Sequence, residues 1–190
     1  GATGFIGKRL VKKLLARRGA TVYFLVRKES LDKVPALLEY WEASAERAVA
    51  VVGDLAKPLL GVSKLDQKKL TGKVKHFFHL AAVYDLKADA ESQIVANIDG
   101  TKNAVALANA IKAGIFQHVS SIAAAGMYEG MFREDMFDEA ENLEHPYFAT
   151  KHDSEKIVRK ESKMPWRVYR PGMVVGDSKT GEMDKIDGPY

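Results

Sequence analysis

The chain opens on Gly1-Ala2-Thr3-Gly4-Phe5-Ile6-Gly7, in which three glycines recur every third residue. No other stretch limits the possible folds so strongly. Glycines at this spacing meet three separate steric needs: a tight turn, close approach of backbone to a bulky anion, and close packing of a helix on a strand. Behind them, Leu10, Val11, Leu14 and Leu15 alternate with Lys8, Arg9, Lys12, Lys13, Arg17 and Arg18. That pattern predicts an amphipathic helix with a solvated basic face. Residues 21–27 (TVYFLVR) then read as a buried strand. Loops are glycine-rich for many reasons. A glycine loop that feeds a helix, with a strand close behind, is specifically suited to hold phosphate against the helix N-terminus.

Further along, apolar β-branched runs keep alternating with helical patterns. Helices are expected over 31–47, 88–113 and 146–162, and strands over 48–52, 74–82, 116–121 and 166–169. Such alternation implies βαβ units and a parallel sheet covered on both faces; right-handed crossovers then make it doubly wound. In that architecture a strand ordinarily runs into the glycine loop, and here the loop is residue 1. We therefore expect a fold truncated at both ends. Residues 1–176 would form the nucleotide-binding domain without its first strand, and 177–190 would begin a substrate-covering lobe.

Composition narrows the function classes. With 46% hydrophobic residues over 190 positions the chain can build a core, and no apolar run reaches membrane-spanning length. The absence of cysteine removes disulfides, thiolate metal sites and a cysteine-thioester intermediate, and fits a cytoplasmic setting. His76, His79, His118, His145 and His152 make no ligand cluster by spacing, so no metal is expected. The net charge of +4 suits an enzyme of polyanionic cofactors better than a nucleic-acid or membrane-surface protein.

The strand at 21–27 ends in Arg27-Lys28, where an NAD-specific site usually carries an acidic residue. A carboxylate would repel a 2′-phosphate, whereas a guanidinium binds it in bidentate fashion. Arg27 is therefore the expected 2′-phosphate ligand and NADP(H) the expected cofactor, against the plainer alternative of an exposed basic pair. Tyr147-Phe148-Ala149-Thr150-Lys151 places a phenol and an ammonium on one helix face. The ammonium favours the phenolate, which brings a group of pKa about 10 toward useful acid–base chemistry. Ser120-Ser121 closes the preceding strand, at the end where open α/β sheets hold their ligands.

These motifs, in this order, resemble the extended short-chain dehydrogenase/reductase family, and the resemblance covers essentially the whole chain. It implies a doubly wound α/β Rossmann fold whose loop, Gly1, Thr3, Gly4, Phe5, Ile6 and Gly7, cradles the cofactor. It implies that Asp54-Leu55 meets the adenine, that Leu80-Ala81-Ala82 runs beneath the cofactor, and that Pro171-Gly172 contacts the nicotinamide carboxamide. As bare residues, Asp54 reads equally as a turn or cap, the small residues as core, and Pro-Gly as a turn. The family's Ser-x-x-x-x-Gly spacing selects Ser121, with Gly126, over Ser120. Ser121 would then bond the substrate carbonyl, Tyr147 would protonate it, and Lys151 would hold the ribose. Asn97 would anchor a water near the lysine, unless it is simply a polar residue within a helix.

Finer similarity lies in residues 79–85, 118–126, 132–137, 145–151 and 180–190. These resemble the N-terminal domain of long, two-domain bacterial fatty acyl-CoA reductases that form alcohols. That resemblance implies a long-chain aldehyde or acyl-CoA substrate and a second reductase domain in the full-length protein. Sterol, flavonoid or nucleotide-sugar substrates, and a non-catalytic NADP sensor, are the alternatives; homo-oligomerisation is left open. Met127, Tyr128, Met131 and Phe132 suit an acyl channel or, more plainly, core or lid.

Overall fold

A computed structural model describes residues 1–81 and 94–183. Ala82, the first residues of the helix expected over 88–113 and the segment from 184 onward lie outside the described residues. Helix α1 (Phe5–Leu15) starts immediately after Gly4, which is extended at the N-cap (φ −78°, ψ 171°). Its apolar stripe, Val11 and Leu15, packs with Phe24 and Val26 of strand β1 (Val22–Val26) and with Trp41. Phe24 meets Trp41 edge-on at 5.0 Å, and the Trp41 indole donates to Lys8 O at 2.9 Å, which satisfies its polar edge.

The helix expected over 31–47 is shorter than the pattern suggested. A 3₁₀ turn (Lys28–Lys33) leads into α2 (Val34–Trp41), and Glu42 stops it in the left-handed region (φ 52°, ψ 44°). Arg47 is needed elsewhere. Its guanidinium caps the C-terminal end of α1 through the carbonyls of Leu15, Arg17 and Ala20. Strand β2 (Ala48–Val52) follows and pairs parallel with β1, Val22 beside Ala48 through Val26 beside Val52.

A short α3 (Lys64–Leu70), absent from the sequence expectation, precedes β3 (His76–His79). Ser63 caps α3 by accepting from Asp66 N at 3.1 Å, and donates to the Asp66 carboxylate. A π-helical turn (Ile94–Asp99) runs into α4 (Gly100–Ala110), which ends before 113 because Lys112 turns left-handed (φ 54°). Gly100 sits where a Cβ would lie 2.6 Å from the Leu55 side chain. Strand β4 (Ile115–Val119), α5 (Pro146–Glu161) and β5 (Trp166–Tyr169) complete the described elements.

Strands β3, β4 and β5 form a second parallel sheet, and the two sheets are not joined by ladder hydrogen bonds among the described residues. They are joined by packing. Val51 of β2 and Phe116 of β4 lie in one core with Leu70, Leu107 and Val158 from α3, α4 and α5. Helices α1 and α2 cover the opposite side of β1 and β2. The architecture is a parallel, doubly wound α/β fold, as the alternating pattern implied.

Candidate active site

Because the strands within each sheet run parallel, the segments that follow them gather at the carboxyl edge of each sheet. Arg27 follows β1, Asp54 follows β2, Leu80-Ala81 follows β3, Ser120-Ser121 follows β4 and Arg170-Pro171-Gly172 follows β5. Backbone bonds extend this edge: Ser120 N donates to Tyr169 O at 2.8 Å, and Ile122 N to Pro171 O at 3.1 Å. The carboxyl edge of such a sheet is where ligands bind in open α/β folds.

The three glycines of the loop have different duties. A Cβ on Gly1 would lie 2.8 Å from Ala81 N, and a Cβ on Gly7 would collide with the carbonyl of Gly1. Both are demanded by packing inside the protein. Gly4 is not, since a Cβ there would meet only Gly1 O, at 3.4 Å. Its bare backbone faces open space at the start of α1, whose first turn has no acidic residue and no side-chain cap. An open helix N-terminus beside a glycine fits the pyrophosphate of a dinucleotide. Thr3 and Ile6 are exposed at this loop and Phe5 is half-buried.

Arg27 is exposed, with Nε 3.4 Å from Glu29 Oε1. Exposed pairs of this kind contribute about 0–1 kcal/mol, so the guanidinium is available to a phosphate. Asp54 forms a turn: its Oδ1 accepts from Ala56 N at 3.0 Å. Leu55 packs on Gly100, and its carbonyl accepts from Asn103. For Asp54 the structure shows the turn that the bare sequence also allowed.

Tyr147 and Lys151 are both buried on one face of α5, with Nζ 5.9 Å from the phenol ring centroid. Pro146 occupies the first turn, and His145 Nδ1 accepts from Tyr147 N at 3.2 Å. Burial pulls the Lys151 ammonium down to about 8. Ser121 Oγ accepts from Ala123 N at 3.1 Å and is half-buried, which leaves its proton to be donated. Gly126, five residues on, has φ 65°, and a Cβ there would collide with Glu141 O. The serine-to-glycine spacing therefore marks a backbone requirement of the loop after β4.

Asn97 lies in the π turn and is buried; its Nδ2 donates to Thr150 Oγ1 at 3.2 Å, which in turn donates to Tyr147 O. A π turn is a frequent mark of a functional position, and no residue pattern in the sequence announced it. Gly172 lies beside Ile122, its Cβ position 3.7 Å from Ile122 Cδ1. Met127 and Met131 are exposed. Met131 is thus not core. Sequence reasoning missed Glu155, a fully buried carboxylate one turn beyond Lys151. It accepts from Arg170 Nη2 at 2.6 Å and Arg159 Nη2 at 2.8 Å. Spacing alone, Tyr147-Lys151-Glu155, could have suggested it. Among the described residues no three histidine, cysteine or acidic side chains cluster as a metal site. No described helix is long and apolar enough to cross a membrane.

The profile of an NAD-binding family described as male sterility protein matches residues 1–190. A component of the linear gramicidin synthase of Brevibacillus parabrevis is 34% identical over 98% of the chain, which spans 4% of that protein. A Drosophila melanogaster protein provisionally assigned as a fatty acyl-CoA reductase is 28% identical over 92% of the chain and 42% of its own length. Among solved structures, the terminal R domain from the myxalamid PKS-NRPS pathway superposes with a TM-score of 0.81. It is 30% identical, over 95% of this chain and 50% of that one. The chain thus spans half or less of these relatives.

Proposed function

The chain belongs to the NAD-binding male sterility protein family of extended short-chain reductases, an oxidoreductase family, and on that premise we propose that it reduces a fatty aldehyde or fatty acyl-CoA with NADPH on the way to fatty alcohol. One observation carries the reading: Tyr147 and Lys151 are buried together on one helix face, at the sheet edge that also presents Ser121. Bound there, NADPH supplies the hydride. Ser121 donates its free proton to the carbonyl oxygen and so polarises the carbon that accepts the hydride. Tyr147 then delivers a proton to that oxygen as the negative charge develops. Lys151, as ammonium, stabilises the phenolate left behind and binds the ribose; the proton is later replaced from solvent. The glycine loop and α1 hold the pyrophosphate, and Arg27 takes the 2′-phosphate. Leu80-Ala81-Ala82, Asp54-Leu55 and Pro171-Gly172 line the remaining cofactor contacts, and Asn97 steadies the helix behind Lys151. We place the protein in the cytoplasm.

A second reading has its own support. The gramicidin synthase and myxalamid relatives come from assembly-line enzymes, which favours an acyl group held as a thioester on a carrier domain. The reaction is the same in kind: hydride adds to the thioester carbonyl, the thiol leaves, and an aldehyde is released.

The test follows NADPH oxidation with a long-chain aldehyde, a long-chain acyl-CoA and the same acyl group on a phosphopantetheinyl carrier domain. NADH and Tyr147→Phe run beside them. Turnover of the aldehyde or acyl-CoA, lost in Tyr147→Phe, is expected. Turnover of the carrier-bound acyl group alone moves the second reading ahead. NADPH binding without oxidation by any of the three overturns both.

A further inference from the structure

Two histidines that take no part in the chemistry above sit beneath the catalytic helix. His79 closes β3 and His118 lies opposite it on β4, in register across the ladder. Their rings stack at 5.5 Å and 19°, and both are buried (4% and 2% exposed). Each leads to a different turn of α5. His79 Nε2 is 2.9 Å from Thr101 Oγ1, and that hydroxyl donates to Asn97 O at 2.6 Å. The threonine has one proton to give, so His79 Nε2 must carry the hydrogen of the first bond. From Asn97 the chain continues through Thr150 Oγ1 to the carbonyl of Tyr147. On the other side His118 Nε2 approaches Ser154 Oγ at 3.5 Å, and Ser154 donates to the carbonyl of Lys151 at 2.9 Å.

We propose that the stacked His79–His118 pair is a positioning device for Tyr147 and Lys151. It acts through Thr101, Asn97 and Thr150 on the first residue and through Ser154 on the second. Hydroxyl bonds back to the carbonyl three residues earlier bend a helix locally. Here the two bonds fall on the carbonyls of Tyr147 and Lys151, the residues whose separation sets the ammonium against the phenol. The charged groups facing the pair are Lys151 and Glu155 of α5 and the α-amino group of Gly1. Burial holds both rings well below the usual histidine range, His118 at about 3; His118 and the Gly1 α-amino group add to this at His79, and Lys151 adds to it at both. The pair is neutral at working pH, with Nε2 carrying the hydrogen that the bonds to Thr101 and Ser154 use.

This inference rests on the hydride-transfer roles given to Tyr147 and Lys151, and its test separates the two. His79→Phe keeps the ring and removes the donor, His79→Gln keeps a donor at the Nε2 position, and Thr101→Val removes the hydroxyl that joins the chain. Tyr147 is titrated by ultraviolet difference against the matching Tyr147→Phe protein, a readout that needs no turnover. His79→Phe and Thr101→Val should each move that titration to higher pH and lower kcat roughly tenfold, with KM for NADPH nearly unchanged. His79→Gln should restore both, and the double variant should be no worse than either single. A normal titration in both His79→Phe and Thr101→Val, or losses that multiply in the double variant, overturns the proposal. Should His79→Phe fail to fold, Thr101→Val against Thr101→Ser makes the same comparison. If the unchanged protein reduces no carbonyl, the function above falls while the Tyr147 titration still decides the positioning.

Discussion

Lys151 is held in a state that weakens the fold and, on the proposed mechanism, serves the reaction. Its ammonium has lost most of its water, and burial brings it from 10.5 to about 8. Between those values the unfolded chain keeps a proton that the folded chain has released, so stability rises with pH across about 8 to 10.5. Below pH 8 the buried charge is present in full, at a cost on the order of 3 kcal/mol. Lys151→Met should therefore raise Tm at pH 7 while abolishing turnover, which thermal melts and NADPH oxidation check together. Function has the opposite sign, because only the ammonium favours the phenolate. In the unchanged protein kcat/KM for NADPH should fall as pH rises through about 8. Arg27 supplies the matching prediction for the cofactor. A charge-assisted bond to phosphate is worth about 1.5–3 kcal/mol, so Arg27→Ala should weaken NADPH binding by roughly ten- to a hundredfold and leave NADH nearly unaffected. Equal weakening of both, measured by fluorescence titration, would remove Arg27 from the 2′-phosphate site.

Helix α5 carries more than the two residues its motif shows. Tyr147, Lys151 and Glu155 recur every fourth residue, and the third ties the helix to the segment after β5. Burial alone would raise the Glu155 carboxyl, yet Arg170 and Arg159 outweigh it and hold it below the usual carboxylate range. Arg170 also donates to Met136 O at 2.8 Å and lies over the Phe132 ring at 5.2 Å. One guanidinium thus joins helix α5, the residue before Pro171-Gly172, and the loop that follows Ser121. Glu155→Gln leaves two guanidiniums facing a neutral amide and should destabilise the protein by about 3–5 kcal/mol, read from denaturant midpoints. The sequence made α5 and its Tyr-Lys pair legible because helical spacing is a local property, and β2 and β5 matched their apolar runs residue for residue. Arg170 and Glu155 meet across 15 residues and two elements, which no local pattern encodes. The π turn at Asn97 shifts hydrogen bonds without a residue signature, and the end of α2 depended on Arg47 capping a different helix. Those features are tertiary, whereas α3, with its local Ser63–Asp66 cap, carried a local signal that the alternating pattern passed over.

At the scale of the whole molecule the sheet is divided. Among the described residues, strands β2 and β1 form one part and β3, β4 and β5 the other, and a shared core around Val51 and Phe116 holds them together without a ladder. Gly1 abuts Leu80-Ala81 at the end of β3, and its carbonyl lies under Gly7. The first residue therefore stands at the carboxyl edge beside β3. We expect an added strand running into Gly1 to pair with β1 on one side and β3 on the other, giving the order β2-β1-new-β3-β4-β5. Hydrogen bonds alone would not secure it. About ten new backbone bonds contribute roughly 1 kcal/mol each, while ordering about five residues costs roughly 1–2 kcal/mol apiece in backbone entropy. Those two effects nearly cancel. Burial decides the outcome, since each large apolar side chain taken from water adds about 1.5–3 kcal/mol. An apolar β-branched pentapeptide joined ahead of Gly1 should therefore raise Tm and slow amide exchange in both Val22–Val26 and His76–His79. A serine-rich pentapeptide of the same length should do neither. Equal protection from both extensions, or protection confined to one of the two strands, would mean that an added strand does not pair between β1 and β3.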